Sequence, residues 1–120
     1  MKTTRIAALG DSITKGVVLN DQNRYSAAEQ SFLDIISNEL DLRIDNYGKF
    51  GCTVGYGNSV IERHATDIAD SDYTFIEYGG NDCDFDWIKI AQNHHGEHKA
   101  RTPLEEITEE LTSLVAKSKD

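Results

Sequence analysis

An α/β fold on a short parallel sheet is predicted by three observations on this chain of 120 residues. Three apolar runs, Ile6-Ala7-Ala8-Leu9, Leu42-Arg43-Ile44 and Tyr73-Thr74-Phe75-Ile76-Glu77-Tyr78, have strand length and strand composition. Segments of helical spacing follow them, and β-then-α alternation is the pattern of a parallel sheet layered by helices. Each run also leads into a turn: Gly10-Asp11-Ser12, Asn46-Tyr47-Gly48-Lys49-Phe50-Gly51 and Gly79-Gly80-Asn81-Asp82. In an open parallel sheet such turns gather beyond the carboxyl ends of the strands, where ligands bind.

The first strand covers about Thr4 to Leu9. A first helix is expected from Ser26-Ala27-Ala28-Glu29, which has the spacing of a capping box, with Ala28, Phe32, Leu33, Ile36 and Leu40 on one face. The second strand covers about Leu42 to Asn46. A second helix is expected from Ser59 to Ile68, where Ser59 and Glu62 repeat the capping-box spacing. The third strand is Tyr73 to Tyr78. The last helix begins at Thr102-Pro103-Leu104-Glu105, with Thr as cap, Pro in the first helical position and Glu closing the box. Its apolar face is Leu104, Ile107, Leu111, Leu114 and Val115.

These elements assemble into one domain over residues 1–120, a three-layer α/β/α, flavodoxin-like arrangement whose strand order starts 2-1-3. A full 2-1-3-4-5 sheet would continue past the third βα unit, so the domain is expected to be incomplete on its C-terminal side. The third strand would then be an open edge carrying Phe75 and Ile76, a template for self-association. Between Cys83 and Arg101 the periodicity is weak. Phe85, Trp87, Ile88 and Ile90 make that segment too apolar for simple disorder; it reads as a lid or pocket wall beside Asn81, or as ordinary packing.

Composition excludes several classes. A formal net charge of -9 argues against nucleic acid or an anionic membrane surface as partner, because clustered Lys and Arg drive such binding. The apolar stretch after Met1-Lys2-Thr3-Thr4-Arg5 is too short for a signal-peptide core or a membrane span, so a cytoplasmic location is the default. Cys52 and Cys83 each follow a strand end. In a 2-1-3 sheet those ends lie two strand spacings apart, about 10 Å. A disulfide needs Cα atoms within about 7 Å, so two free thiols are expected.

Gly-Asp-Ser near the N-terminus, then Asn-x-Gly-x-x-Gly, then Gly-x-Asn-Asp, each after a strand, resembles the SGNH hydrolase superfamily, the GDSL esterases and lipases. The likeness runs along essentially the whole chain in motif order. It implies hydrolysis of a small-molecule carboxylic ester through an acyl-serine intermediate, with no metal or organic cofactor. By that resemblance Ser12 is the nucleophile, and Gly51 and Asn81 occupy oxyanion-hole positions. Chemistry agrees with those assignments. A Ser at a strand-to-helix turn faces helix-type N–H groups, although the same Ser can simply cap a helix. Preorganised donors at a developing oxyanion are worth roughly 3–4 kcal/mol each. Gly51 lets backbone approach a substrate with no Cβ in between. Asp11 and Asp82 read as residues that order their own turns by side-chain hydrogen bonds.

The chain departs from the family at the base. A serine hydroxyl needs an adjacent base, usually a His oriented by a carboxylate, which the family takes from a late Asp-x-x-His motif. None of His64, His94, His95 and His98 has Asp three residues before it. The base is therefore expected from outside this chain, and an interaction module with an inert site is the competing reading. His94-His95-x-x-His98 suggests zinc or a substitute base, but its neighbours are those of a solvated loop. Asp82-x-Asp84-x-Asp86 resembles the start of a calcium loop, yet Trp87 stands where glycine is required. Gly10 to Gly16 would suit a phosphate-binding module but lacks the Walker spacing.

Overall fold

The structure is a computed structural model and describes residues 2–119. From β1 (Arg5–Gly10) the chain turns through α1 (Ser12–Lys15) into an antiparallel hairpin of β2 (Val17–Leu19) and β3 (Tyr25–Ala27). It continues through α2 (Phe32–Leu40), β4 (Arg43–Asn46), α3 (Val54–Arg63), α4 (Ala65–Ala69) and β5 (Tyr73–Glu77). α5 (Trp87–Gln92) and α6 (Leu104–Lys119) complete it. The parallel sheet has the order β4-β1-β5, the 2-1-3 arrangement expected from the three apolar runs. Its register sets Ala8 opposite both Asn46 and Phe75, and Gly10 opposite Glu77, so β1 and β5 end level and β4 ends opposite Ala8.

Two helix starts differ from expectation. Ser26 lies in β3, not at a helix cap. The N-cap of α2 is Ser31, whose hydroxyl accepts from the Asp34 amide while the Asp34 carboxylate accepts from the Ser31 amide. Two Ser-x-x-acid signals stand five residues apart, and the second one caps. The hairpin before it closes through Asn20, whose side-chain oxygen accepts from the amides of Gln22 and Arg24. The helix expected at Ser59 begins at Val54 and breaks at His64 into α3 and α4. α6 starts at Leu104 as expected to within a residue, with Ile107 donating back to the Pro103 carbonyl.

On one face of the sheet, Ala7 and Leu9 pack with Val54, Val60, Ile61, Ile68 and Leu114. Leu114 is fully buried, which is worth about 2–3 kcal/mol. Gly57 sets how closely α3 approaches: a Cβ there would lie 2.6 Å from Tyr78 Cε2 and 3.1 Å from Leu114 Cδ2. The predicted apolar face of α6 is buried at Leu114 and half-buried at Ile107, but Leu104 is exposed.

The opposite face is thinly covered. α2 buries only Leu33, and Phe32 meets Phe75 edge-on at 6.2 Å with both rings more than a third exposed. Among the described residues β5 pairs with β1 alone, so its far side is an open edge. The radius of gyration, 16.6 Å, exceeds the ~14 Å expected of a compact domain this long. The accessible surface of 8409 Å² exceeds the ~6,500 Å² typical of a folded monomer of this mass.

Candidate active site

The three turns meet at the carboxyl end of the sheet and are tied together by hydrogen bonds. The first turn is ordered by Asp11, which is buried and caps α1 by accepting from the Ile13 amide at 2.9 Å. Ser12 opens that helix and is half-buried. The helix ends at Gly16 after a single turn. Between the first and second turns, Asn46 donates to the Thr14 carbonyl at 2.9 Å and accepts from the Gly48 amide at 2.8 Å. Lys49 then donates its amide to the Gly10 carbonyl at 3.1 Å.

Gly51 sits at φ +74, in the left-handed region that favours glycine, and a Cβ there would meet nothing within 4 Å. The Cα of Gly51 is thus open on the side where another residue would carry its side chain. Asn81 is half-buried and donates to the Cys52 carbonyl at 2.9 Å, which fixes the amide against the residue that follows Gly51. Asp82 is fully buried, and its Oδ2 accepts from the Val54 amide at the start of α3 at 3.0 Å. Its Oδ1 is buried without a hydrogen-bond partner. The second and third turns are thus linked twice, at Asn81–Cys52 and at Asp82–Val54.

Arg101 closes the rim: its guanidinium donates to the Gly51 carbonyl at 3.2 Å, and its amide donates to the Asp84 carbonyl. The 83–101 segment, read as a lid or packing, contains α5, which buries none of its residues; Trp87 and Ile88 are exposed. It is held near the third turn by Thr102 donating to the Asp82 carbonyl. Cys52 is buried and Cys83 exposed, both as free thiols. Burial raises the Cys52 thiol pKa, so it sits by the site as an inert group. Among the described residues no three His, Cys, Asp or Glu side chains converge on a metal-binding point.

One acid of the site stands outside the three motifs. Glu77, the last residue of β5, accepts from the Thr14 hydroxyl at 3.1 Å and stands beside Asp11. Burial, reinforced by that neighbouring carboxylate, pushes its pKa up to about 7. The folded state therefore holds a proton that the unfolded chain has already released. Stability is expected to fall as pH rises from about 4.5 to about 7, and to stay lower above that. Glu77→Gln should flatten this slope and raise stability at pH 8 by on the order of 1 kcal/mol, allowing for solvent screening. Urea unfolding at pH 5 and pH 8 checks it; a wild-type chain more stable at the higher pH would contradict it.

Among the described residues the Ser12 hydroxyl has no hydrogen-bond partner, and no imidazole is bonded to it. His64 lies at the α3–α4 junction, stacked on Tyr47 with ring centroids 4.6 Å apart. His94 and His95 adjoin each other past the end of α5, and His98 contacts the Asn93 carbonyl.

Neither a protein-family model nor a curated protein matches the chain. Solved structures do. Over 98% of its length the chain is similar to a structure described as a lipolytic protein of the G-D-S-L family from Desulfitobacterium hafniense DCB-2, with TM-score 0.65 and 20% identity. A GDSL-like lipase from Parabacteroides merdae ATCC 43184 matches over 98% as well, with TM-score 0.60 and 23% identity. The chain spans 54% of the length of each. The α/β/α fold is thus the one seen in GDSL-type lipolytic proteins, as the order of the three turns led us to expect. No helix among the described residues is long and apolar enough to cross a membrane.

Proposed function

We propose that this chain carries the nucleophile and oxyanion-binding part of a serine hydrolase acting on small-molecule carboxylic esters. The observation that carries the reading is the joining of the three turns at one end of the sheet through Lys49–Gly10, Asn46–Thr14 and Asn81–Cys52. Ser12 attacks the ester carbonyl, and its proton passes to a base supplied from outside the described residues. The Ser12 and Gly51 amides and the second N–H of the Asn81 side chain stabilise the tetrahedral oxyanion. The alcohol leaves, and water attacking the acyl-serine regenerates the hydroxyl.

A fluorophosphonate probe tests this on the chain itself, with added imidazole standing in for the base. Slow adduct formation confined to Ser12, accelerated by imidazole and absent in Ser12→Ala, is the expected result. A folded chain that stays unlabelled at saturating imidazole would make the inert interaction module the better reading.

The open β5 edge supports a further expectation, with a second copy of the chain as the partner. The surface of one chain in excess of a compact monomer, about 1,900 Å², is more than the ~800 Å² that each partner contributes to a standard interface. Sedimentation velocity should show concentration-dependent dimerisation, weakened by a charge at Phe75. A monodisperse monomer at high concentration would count against it.

A further inference from the structure

Beside the second turn lies a groove of about 370 Å³ lined by Lys15, Lys49, Arg63, His64, Tyr47 and Tyr56, among others. Its charge runs against the rest of the molecule, which carries 21 acidic residues to 12 basic ones. Arg5, Arg43, Lys2 and Lys117 are each within ion-pair distance of a carboxylate. Among the described residues Lys15, Lys49 and Arg63 have none. Arg24, Lys89, Lys99 and Arg101 have none either; what sets Lys15, Lys49 and Arg63 apart is that all three line one groove of an otherwise acidic chain.

Two of them converge on a single neutral oxygen. Arg63 Nη2 donates to Tyr56 Oη at 2.8 Å, and Lys49 Nζ donates to the same oxygen at 3.4 Å. Both charges also lie over the Tyr56 ring, at 5.4 and 5.1 Å from its centroid. Together they lower the Tyr56 pKa, Arg63 more than Lys49, so the field at that oxygen is positive. A guanidinium and an ammonium held together with donors to spare match the oxygens of an anion. The stacked Tyr47 and His64 rings supply a flat wall for the body of the ligand.

The groove adjoins the proposed catalytic turns. Lys15 is three residues after Ser12 on α1, and Lys49 lies between the Gly48 amide bonded to Asn46 and Gly51. We infer that this groove binds an oxyanion group (carboxylate, sulfate or phosphate) of a small-molecule ligand. Resting on the hydrolase reading, it follows that the ester substrate carries such a group on the side of the second turn. Net charge at long range is repulsive to an anion, so recognition is local and does not come from steering.

The test uses inorganic phosphate as probe, followed by amide NMR on the folded chain. Saturable shifts are expected at Lys15, Gly48 to Phe50, Tyr56, Arg63 and His64, with an apparent Kd of about 1 mM. Lys49→Glu with Arg63→Glu should weaken binding at least tenfold, and both side chains are exposed, so the fold is kept. Shifts that do not saturate, that spread equally to Lys2, Lys89 and Lys99, or that survive the charge reversal would overturn the inference. The readout does not involve Ser12. Phosphate binding with Ser12 inert to fluorophosphonate would uphold the groove and defeat the hydrolase reading. A labelled Ser12 with no phosphate binding would do the reverse.

Discussion

Asp82→Ala is expected to destabilise the chain by about 3 kcal/mol. The carboxylate is fully buried and holds the Val54 amide, the first N–H of α3, across 28 residues of sequence. α3 has no other side-chain cap, because Thr53 at its N-cap makes no such bond. Removing the acid leaves a buried donor unsatisfied, at about 1–3 kcal/mol. It also takes a negative charge from the positive end of a helix, worth about 0.3–2 kcal/mol, and opens a small cavity. The unpartnered Oδ1 partly offsets these losses, since its desolvation is a cost the alanine variant no longer bears. Urea unfolding monitored by far-UV circular dichroism reads the change. A loss below about 0.5 kcal/mol would mean that α3 is anchored by its apolar face alone.

Asn81→Ala is expected to slow fluorophosphonate addition to Ser12 by roughly 10²–10³-fold, the usual consequence of losing one oxyanion donor. One N–H of the Asn81 amide is spent on the Cys52 carbonyl. That bond holds the side chain in place and leaves the second N–H free for the oxyanion. The same substitution removes a tie between the second and third turns, at about 1 kcal/mol of stability. Comparing the two effects separates the roles. A rate that falls only twofold while stability drops would make Asn81 a brace with no part in the chemistry. A large rate loss in a chain of near-native stability would make it a donor. Gly51→Ala should be milder in rate and cost about 1–2 kcal/mol in strain from its left-handed backbone.

The central sheet was legible because its strands are short, apolar and followed by glycine-rich turns, all of which are local signals. The start of α3 was not. Gly55 and Gly57 are poor helix formers, so local propensity delays the helix to Ser59. What begins it at Val54 is the Asp82 carboxylate, a partner far away in sequence. The β2–β3 hairpin was missed because three-residue strands carry too little pattern, and Ser26-x-x-Glu29 imitated a cap. Ser12, Gly51 and Asn81 were singled out by the likeness of their three motifs to a known family, and the turns that carry them are joined at one end of the sheet. The basic groove was not legible, since Lys15, Lys49 and Arg63 come from three separate elements. Tyr56 and Arg63, seven residues apart on α3, were its one periodic trace.

The flattened shape, 60 × 38 × 20 Å, carries a calorimetric consequence. Heat capacity and denaturant sensitivity both scale with the surface that unfolding newly exposes. A monomer that already leaves so much surface in water has less to expose. Its unfolding heat capacity should fall below the ~12–15 cal/mol/K per residue of compact domains. The stability curve is then broad and shallow, and the unfolding entropy that divides each ΔΔG is small. A given loss of free energy moves the melting midpoint of this chain further than it would in a rounder protein of equal length.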